Sequence, residues 1–231
     1  MTDWSVRKAK TLITTKRAAP KATPSQSLRV RKQKTERQEQ ILAAAFEVFA
    51  AYGFEAARLD DVARRAGVAK GTIYLYFRDK EQLFQAVVRS LVQKPFDTVS
   101  ESFEGTGEQL LRELMSRMYS QVVRNEKVRS ILRLLIAEGG RFPQLAEIYH
   151  REIIAPWMKA VRQALLRGIT GGEFRKTRAV EFPQVLAAPG VLAILWQLLH
   201  GKRHRLDLNA YMRAHAEFVL ASLRKRSAGR H

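Results

Sequence analysis

The stretch from Leu59 to Phe77, LDDVARRAGVAKGTIYLYF, constrains the fold more than any other part of the chain. Leu59, Val62, Ala63 and Ala66 fall at i, i+3, i+4 and i+7, which places one apolar stripe on a helix of about two turns. Gly67 ends it, because a residue without Cβ can take positive φ, turn the chain sharply and let Val68 drop back toward the core. A second helix starts at about Ala69 or Lys70, with Ile73 and Phe77 four apart as its inward face. The result is two short helices hinged at a glycine.

The outward groups of the second helix form a distinct set: Lys70, Gly71, Thr72, Tyr74, Leu75 and Tyr76. They offer a cation, a backbone open to close approach, a hydroxyl, two phenols and one apolar tip, which suits a helix laid in the major groove of double-stranded DNA. Asp79 has the pattern of an N-cap for a further helix, with Gln82 three residues on. Lys80 in that first turn opposes the helix dipole, so an external anion such as a phosphate is its expected partner. Upstream, Gln40 to Tyr52 carries Ile41, Ala44, Ala45, Val48 and Phe49 on one side and is closed by Gly53.

From about Arg37 to Val88, with the specific run AGVAKGTIYLYFRDKEQLF, the chain resembles the tetracycline-repressor (TetR) family of bacterial transcription regulators. The resemblance implies a three-helix DNA-binding head and an all-helical body that dimerises and binds a ligand. Carried over by position, Lys70, Thr72, Tyr74, Tyr76 and Lys80 are the expected DNA contacts, and Gly71 permits close approach. One departure stands out. Where the family usually has Thr or Ser before the second helix, this chain has Ala57 and Arg58, so the hydroxyl cap is missing and Arg58 is the candidate for its phosphate contact. The segment ILRLLIAEGGRFPQLAEIYHREI also looks like the body of one subgroup of the family.

The formal charge of +19 is unevenly spread: +8 over residues 1–36, +2 over 37–95 and +9 over 96–231. The head is therefore nearly balanced, and its cations act by position, whereas the basic arm supplies diffuse, salt-sensitive attraction to DNA. Residues 1–35 have the composition of a disordered arm. It is either a passive extension or a set of cations, Arg29, Arg31, Lys32 and Lys34, that reach the DNA backbone or minor groove. No apolar run approaches the roughly 20 residues of a membrane span, so a soluble, cytoplasmic protein with no membrane partner is expected. Cysteine is absent and the five histidines lack ligand spacing, so neither a metal nor another cofactor is expected.

Beyond Phe77 every periodic segment is helical, and the fold class expected is all-α. The expected organisation is an arm at 1–35, a helix-turn-helix domain at 36–82, a helical ligand-binding and dimerisation domain at 83–226 and a tail at 227–231. Helices are expected from Asp79 to about Val92, where Lys94-Pro95 interrupts the pattern, then from Leu110 to Arg124, Val128 to Glu138 and Phe142 to Leu166. GTG at 105–107 is no phosphate loop, since no strand precedes it and no Lys-Ser/Thr follows. Val180 to about His200, with Pro189 as a kink or restart, and Leu208 to Leu223 are apolar over broad faces and need a partner surface, which a second copy in a four-helix bundle supplies. His215 on that face reads as an interface or core histidine rather than a sensor.

Met115, Met118, Tyr119, Phe142, Trp157 and Trp196, together with Tyr149 and Phe182, are candidates for lining an apolar cavity for a small hydrophobic or aromatic effector, with Arg133, Glu138 or His150 as polar anchors. Each also suits ordinary core packing, and Arg133 and Glu138 could simply pair. No nucleophile elbow, catalytic carboxylate pair, phosphate loop or metal spacing points to an enzyme. A ligand-responsive, sequence-specific regulator, most simply a repressor that leaves a palindromic operator when its effector binds, accounts for head and body together. The alternative, an architectural DNA binder without sequence preference, accounts for the charge and not for the body.

Overall fold

The computed structural model describes residues 24–92, 96–201 and 203–225. Every regular element among them is helical, in agreement with the all-α expectation, and the sole ladder contact is an isolated bridge between Phe174 and Arg224. By packing, residues 1–37 and 38–231 are separate units.

Helix α1 spans Pro24–Ala56. Its first part is rich in the good helix formers Gln, Arg, Lys and Glu, and residues 32–39 are exposed. The arm expected to be disordered through residue 35 is thus helical from Pro24 on. Its earlier residues, and the tail at 227–231, lie outside the described residues. Helical geometry is interrupted at Gly53, with φ 77° and ψ 178°, and the chain turns there to bury Phe54 against Phe49 and Phe84, with ring centroids 5.4 to 5.8 Å apart.

Helices α2 (Leu59–Ala66) and α3 (Lys70–Tyr74) form the hinged pair. Gly67 sits at φ 65° and ψ 34°, and the Val68 N–H donates to the Ala63 carbonyl at 3.0 Å, so the reversal is locked by backbone bonds that only a residue comfortable at positive φ completes. Helix α4 (Lys80–Ser90) starts at Asp79, whose carboxylate accepts from the Gln82 N–H at 2.8 Å, while the Gln82 side chain accepts from the Arg78 N–H at 3.1 Å. Ile41, Ala45, Phe49, Val62, Ile73, Leu83 and Phe84 form the fully buried heart of this region.

The body follows as α5 (Phe96–Ser102), α6 (Gly107–Arg117, continued by a π-helical turn at Met118–Val123), α7 (Glu126–Glu138), α8 (Pro143–Tyr149), a second π turn (His150–Ile154), α9 (Ala155–Thr170), α10 (Ala188–His200) and α11 (Leu208–Leu223). Thr106 caps α6 in a reciprocal box with Gln109, which is the role of the GTG region. The expected helix from Val180 to His200 is regular only from Ala188. Before it the chain makes two 3-10 turns, Arg178–Val180 and Pro183–Leu186: Pro183 and Pro189 lack the N–H that an uninterrupted helix needs and are tolerated only in first turns. The expected boundary near residue 83 is not a packing boundary, since α4 packs on α8 and the turn after it.

Candidate functional site

The solvent face of α3 is assembled as its spacing requires. Ile73 and Phe77 are buried, Lys70, Gly71, Tyr74 and Leu75 are exposed, and Thr72 and Tyr76 are half-buried. Leu75 is 82% exposed, so its side chain is free to meet a partner on this face. Polar ties fix this surface: Arg65 pairs with Glu47 of α1, and the Lys70 ammonium lies 2.8 Å from Asp60, which raises the lysine pKa through a hydrogen bond and Coulomb attraction. Arg58, exposed at the N-cap position of α2, makes no cap bond with its side chain.

Lys80 is a correction. Its ammonium does not face outward; it donates to the carbonyls of Phe54, Glu55 and Ala57 at 2.7, 3.0 and 3.2 Å and stands 4.5 Å over the Phe54 ring. All three of its hydrogens are thus used on the end of α1 and the turn that follows, where carbonyls lack helical partners, and burial lowers its pKa. A phosphate contact is not what this geometry offers.

The same turn is held from the other side by the body. The Glu138 carboxylate, at the end of α7, accepts from the Phe54 N–H at 3.0 Å and the Glu55 N–H at 3.1 Å. A Cβ at Gly53 would collide with its Oε1, so any other residue there would displace this carboxylate as well as strain the backbone at positive φ. Arg141 pairs with Glu55, and Phe142 meets Phe54 edge-on at 5.6 Å. Glu152, in the π turn after α8, grips α4 by accepting from Gln85 Nε2 at 2.8 Å and Arg89 Nε at 2.8 Å. Burial works against ionisation of Glu152, but Arg89, Gln85 and Arg151 outweigh it and hold the carboxyl below its ordinary range.

A partly open cavity of about 360 Å³ lies in the body, within the size range of small-molecule sites. Its walls are Phe96 of α5, Met118, Val122 and Val123 of the first π turn, Leu132 and Ile136 of α7, Tyr149, Ile153, Ile154, Trp157 and Met158 of the α8–α9 stretch, Gln184 and Ala187, and Gly190, Val191, Ile194, Leu195 and Leu198 of α10. Of the expected lining residues, Met118, Tyr149 and Trp157 are there. The others are elsewhere. Tyr119 bonds through its hydroxyl to His215 Nδ1 at 3.0 Å, Phe142 packs on the head, Met115 belongs to a more polar groove with Arg112 and Arg213, and Phe182 is exposed. Trp196 is 39% exposed, with its Nε1 donating to the His204 carbonyl at 2.8 Å. The expected polar anchors are also outside the walls: Glu138 serves the head, and Arg133 and His150 are exposed. Most of the aliphatic lining is not among the expected residues, although Ala187, Gly190, Val191, Ile194 and Leu198 do recur at helical spacing.

Away from the cavity walls α10 exposes Leu192, Trp196 and Leu199, and α11 exposes Phe218 at 72%. His215 lies behind that face, buried, with Nε2 lacking an acceptor in hydrogen-bonding geometry; burial lowers its pKa, and the Leu186 backbone offsets this only in part. The described residues contain no group of three or more His, Asp or Glu able to hold a metal, and no described helix is long and apolar enough to cross a membrane.

A hinged helix pair with an exposed second helix, carried on an all-helical body, defines the helix-turn-helix class of transcription regulators. The chain belongs to the TetR family: residues 41–87 match the model of the bacterial regulatory proteins of the tetR family, and residues 104–207 match the tetracyclin repressor-like C-terminal domain. It is 33% identical over 153 residues to the HTH-type transcriptional regulator TtgR of Pseudomonas putida, covering 62% of this chain and 72% of that one. It is 26% identical over 147 residues to the fatty acid metabolism regulator protein of Bacillus subtilis, covering 63% of this chain and 74% of the relative. Other curated relatives are matched over only 38% and 36% of their own length. Among solved structures, the transcriptional regulator FadR from Bacillus subtilis in complex with stearoyl-CoA shares the fold, with a TM-score of 0.64 at 23% identity, over 80% of this chain and 98% of that one.

Proposed function

We propose that this regulator is a homodimeric, sequence-specific DNA binder, a repressor released when a small hydrophobic effector enters the body cavity. The observation that carries the proposal is that the helices walling the cavity are the ones that hold the head. On α7, Leu132 and Ile136 line the cavity and Glu138, two residues on, caps the turn after Gly53. In the α8–α9 stretch, Tyr149 and Ile153 line it and Glu152 between them grips α4. An effector that spreads these walls moves both carboxylates, and so re-aims α3. It acts only to the extent that it binds the displaced state better.

The dimer surface proposed is the apolar face of α10 and α11, since exposed leucine, tryptophan and phenylalanine side chains on adjacent helices mark an interaction site. Two α3 helices would then meet successive major grooves, about 34 to 36 Å apart, on a palindromic site. On α3, Tyr74 and Lys70 are assigned to the backbone, with Arg58 beside them, and Thr72 and Leu75 to base edges, Tyr76 and Gly71 completing the surface. A footprint on DNA from its own promoter region tests the reading. Protection confined to a palindrome supports it; protection of all sequences alike, set only by salt, would return the chain to the architectural class.

A further inference from the structure

Building on the reading that the cavity holds the effector, we infer that this effector is an anionic amphiphile: its apolar chain lies in the cavity and its head leaves through the open side to meet the guanidinium of Arg162.

The cavity is not sealed. Ile136, Gln184, Val191 and Leu195 of its walls are exposed, so the apolar lining reaches solvent and one end of a ligand can stay in water. At Met158 and Gln184 the cavity adjoins a groove of about 460 Å³, whose walls also include Lys159, Arg162 and Glu181. Helix α9 makes the step from one to the other. Its Ile154 and Trp157 line the cavity, its Ala155, Lys159 and Arg162 line the groove, and Met158 lines both. Residues four apart on a helix are surface neighbours, so Arg162 stands one turn beyond Met158, on the groove side of the shared wall.

Charge decides the head. The Nε of Arg162 donates to the Val180 carbonyl at 2.9 Å, which orients the guanidinium and leaves its two terminal amino groups without an acceptor among the described residues. The other charges of the groove are matched: Lys159 pairs with Glu101 at 2.8 Å, and Glu181 stands 3.8 Å from Arg178. What the groove offers a ligand is therefore the planar fork of Arg162, a shape that suits a carboxylate or phosphate, with the exposed amide of Gln184 at the junction. An apolar molecule without a head would leave that fork to water, and a cationic head would meet it with repulsion.

Calorimetry on the full-length protein with decanoate, decanol and decyltrimethylammonium, which share one chain and differ in the head, decides the class. Arg162→Gln is expected to weaken decanoate about threefold to fivefold, the scale of one exposed ion pair, and to leave decanol unchanged. Arg162→Lys, which loses the fork and keeps the charge, should retain most of the decanoate affinity. Val191→Trp, which enlarges an exposed wall residue, is expected to weaken decanoate and decanol alike by about tenfold through overpacking. Decanoate affinity unchanged in Arg162→Gln would overturn the inference, and the cavity reading would still stand if Val191→Trp weakened decanol. Tighter binding of the ammonium than of decanoate, or binding of none of the three, would also overturn it, while the footprint, read without any ligand, judges the DNA-binding function separately.

Discussion

The two surfaces on which the proposed function rests are built in opposite ways. The head presents polar and aromatic groups on a helix of five residues, and its shape comes from local devices: the left-handed Gly67, the Asp79 cap and the Lys70–Asp60 and Arg65–Glu47 pairs. The cavity is almost wholly apolar and takes its shape from residues up to about a hundred positions apart in sequence, Phe96 to Leu198, brought together by packing. A locally determined surface can be altered one contact at a time. A surface made by packing responds as a unit, because close-packed walls shift together rather than deform independently. The proposed sensing in the second and reading in the first need a mechanical link, and the bonds of Glu138 and Glu152 to the head would supply it.

The largest expected effect breaks the body's side of the comparison. Phe218→Asp places a charge at the centre of the proposed dimer face without touching the head; since Phe218 is 72% exposed in the single chain, its fold should survive. Light scattering is expected to show monomers or aggregates, with palindrome binding abolished. An intact dimer would remove α11 from the interface.

Next in size is Lys80→Ala. Loss of a charged donor from three carbonyls is expected to cost about 1.5 to 3 kcal/mol of stability, seen as a lower thermal midpoint. Tyr74→Phe, by contrast, should leave the midpoint unchanged and weaken binding to every DNA sequence alike. If Lys80→Ala left the midpoint unmoved and instead weakened binding to all DNA, the lysine would belong to the DNA surface after all. Changes at Thr72 and Leu75 should alter preference among sites, with losses on the order of 1 to 3 kcal/mol for a good base contact; equal losses on specific and random DNA would contradict that assignment.

The smallest effect sharpens the body's own account. His215 is buried and its folded pKa lies below the ordinary 6.5, so the unfolded chain binds a proton there before the folded one does. The stability it contributes is fully present above pH 6.5 and is lost as pH falls from 6.5 toward the folded value. His215→Gln should flatten that part of the stability profile in thermal melts between about pH 7 and 5, and an unchanged profile would mean that the imidazole titrates freely.

The same contrast explains what can be read from the residues alone. The α2–α3 hinge, the Asp79 cap and the limits of α11 at Leu208 and Leu223 are properties of neighbouring residues, and periodicity carries them. The expectation for Lys80 fails because its three acceptors lie 23 to 26 residues upstream, and only the tertiary fold brings an unsatisfied helix end to its ammonium. Tyr119, Met115, Phe142 and Trp196 have the right chemistry for a cavity, but periodicity tells which face of a helix is apolar and not which neighbour that face meets. The π turns at Met118–Val123 and His150–Ile154 shift the register by a residue and compound the difficulty. The departure at Arg58 is visible in both: the sequence lacks a hydroxyl, and α2 starts without a side-chain cap.

The central claim, that the cavity reaches the DNA face through the carboxylate at the end of α7, is tested most directly by fluorescence anisotropy on the footprinted palindrome, with and without decanoate, for the wild type and Glu138→Ala. The ligand is expected to lower wild-type affinity by about 5- to 150-fold, the usual range of coupling between sites, and Glu138→Ala to bind the ligand equally well yet lose most of that response. An equal loss of DNA affinity in both proteins would contradict it.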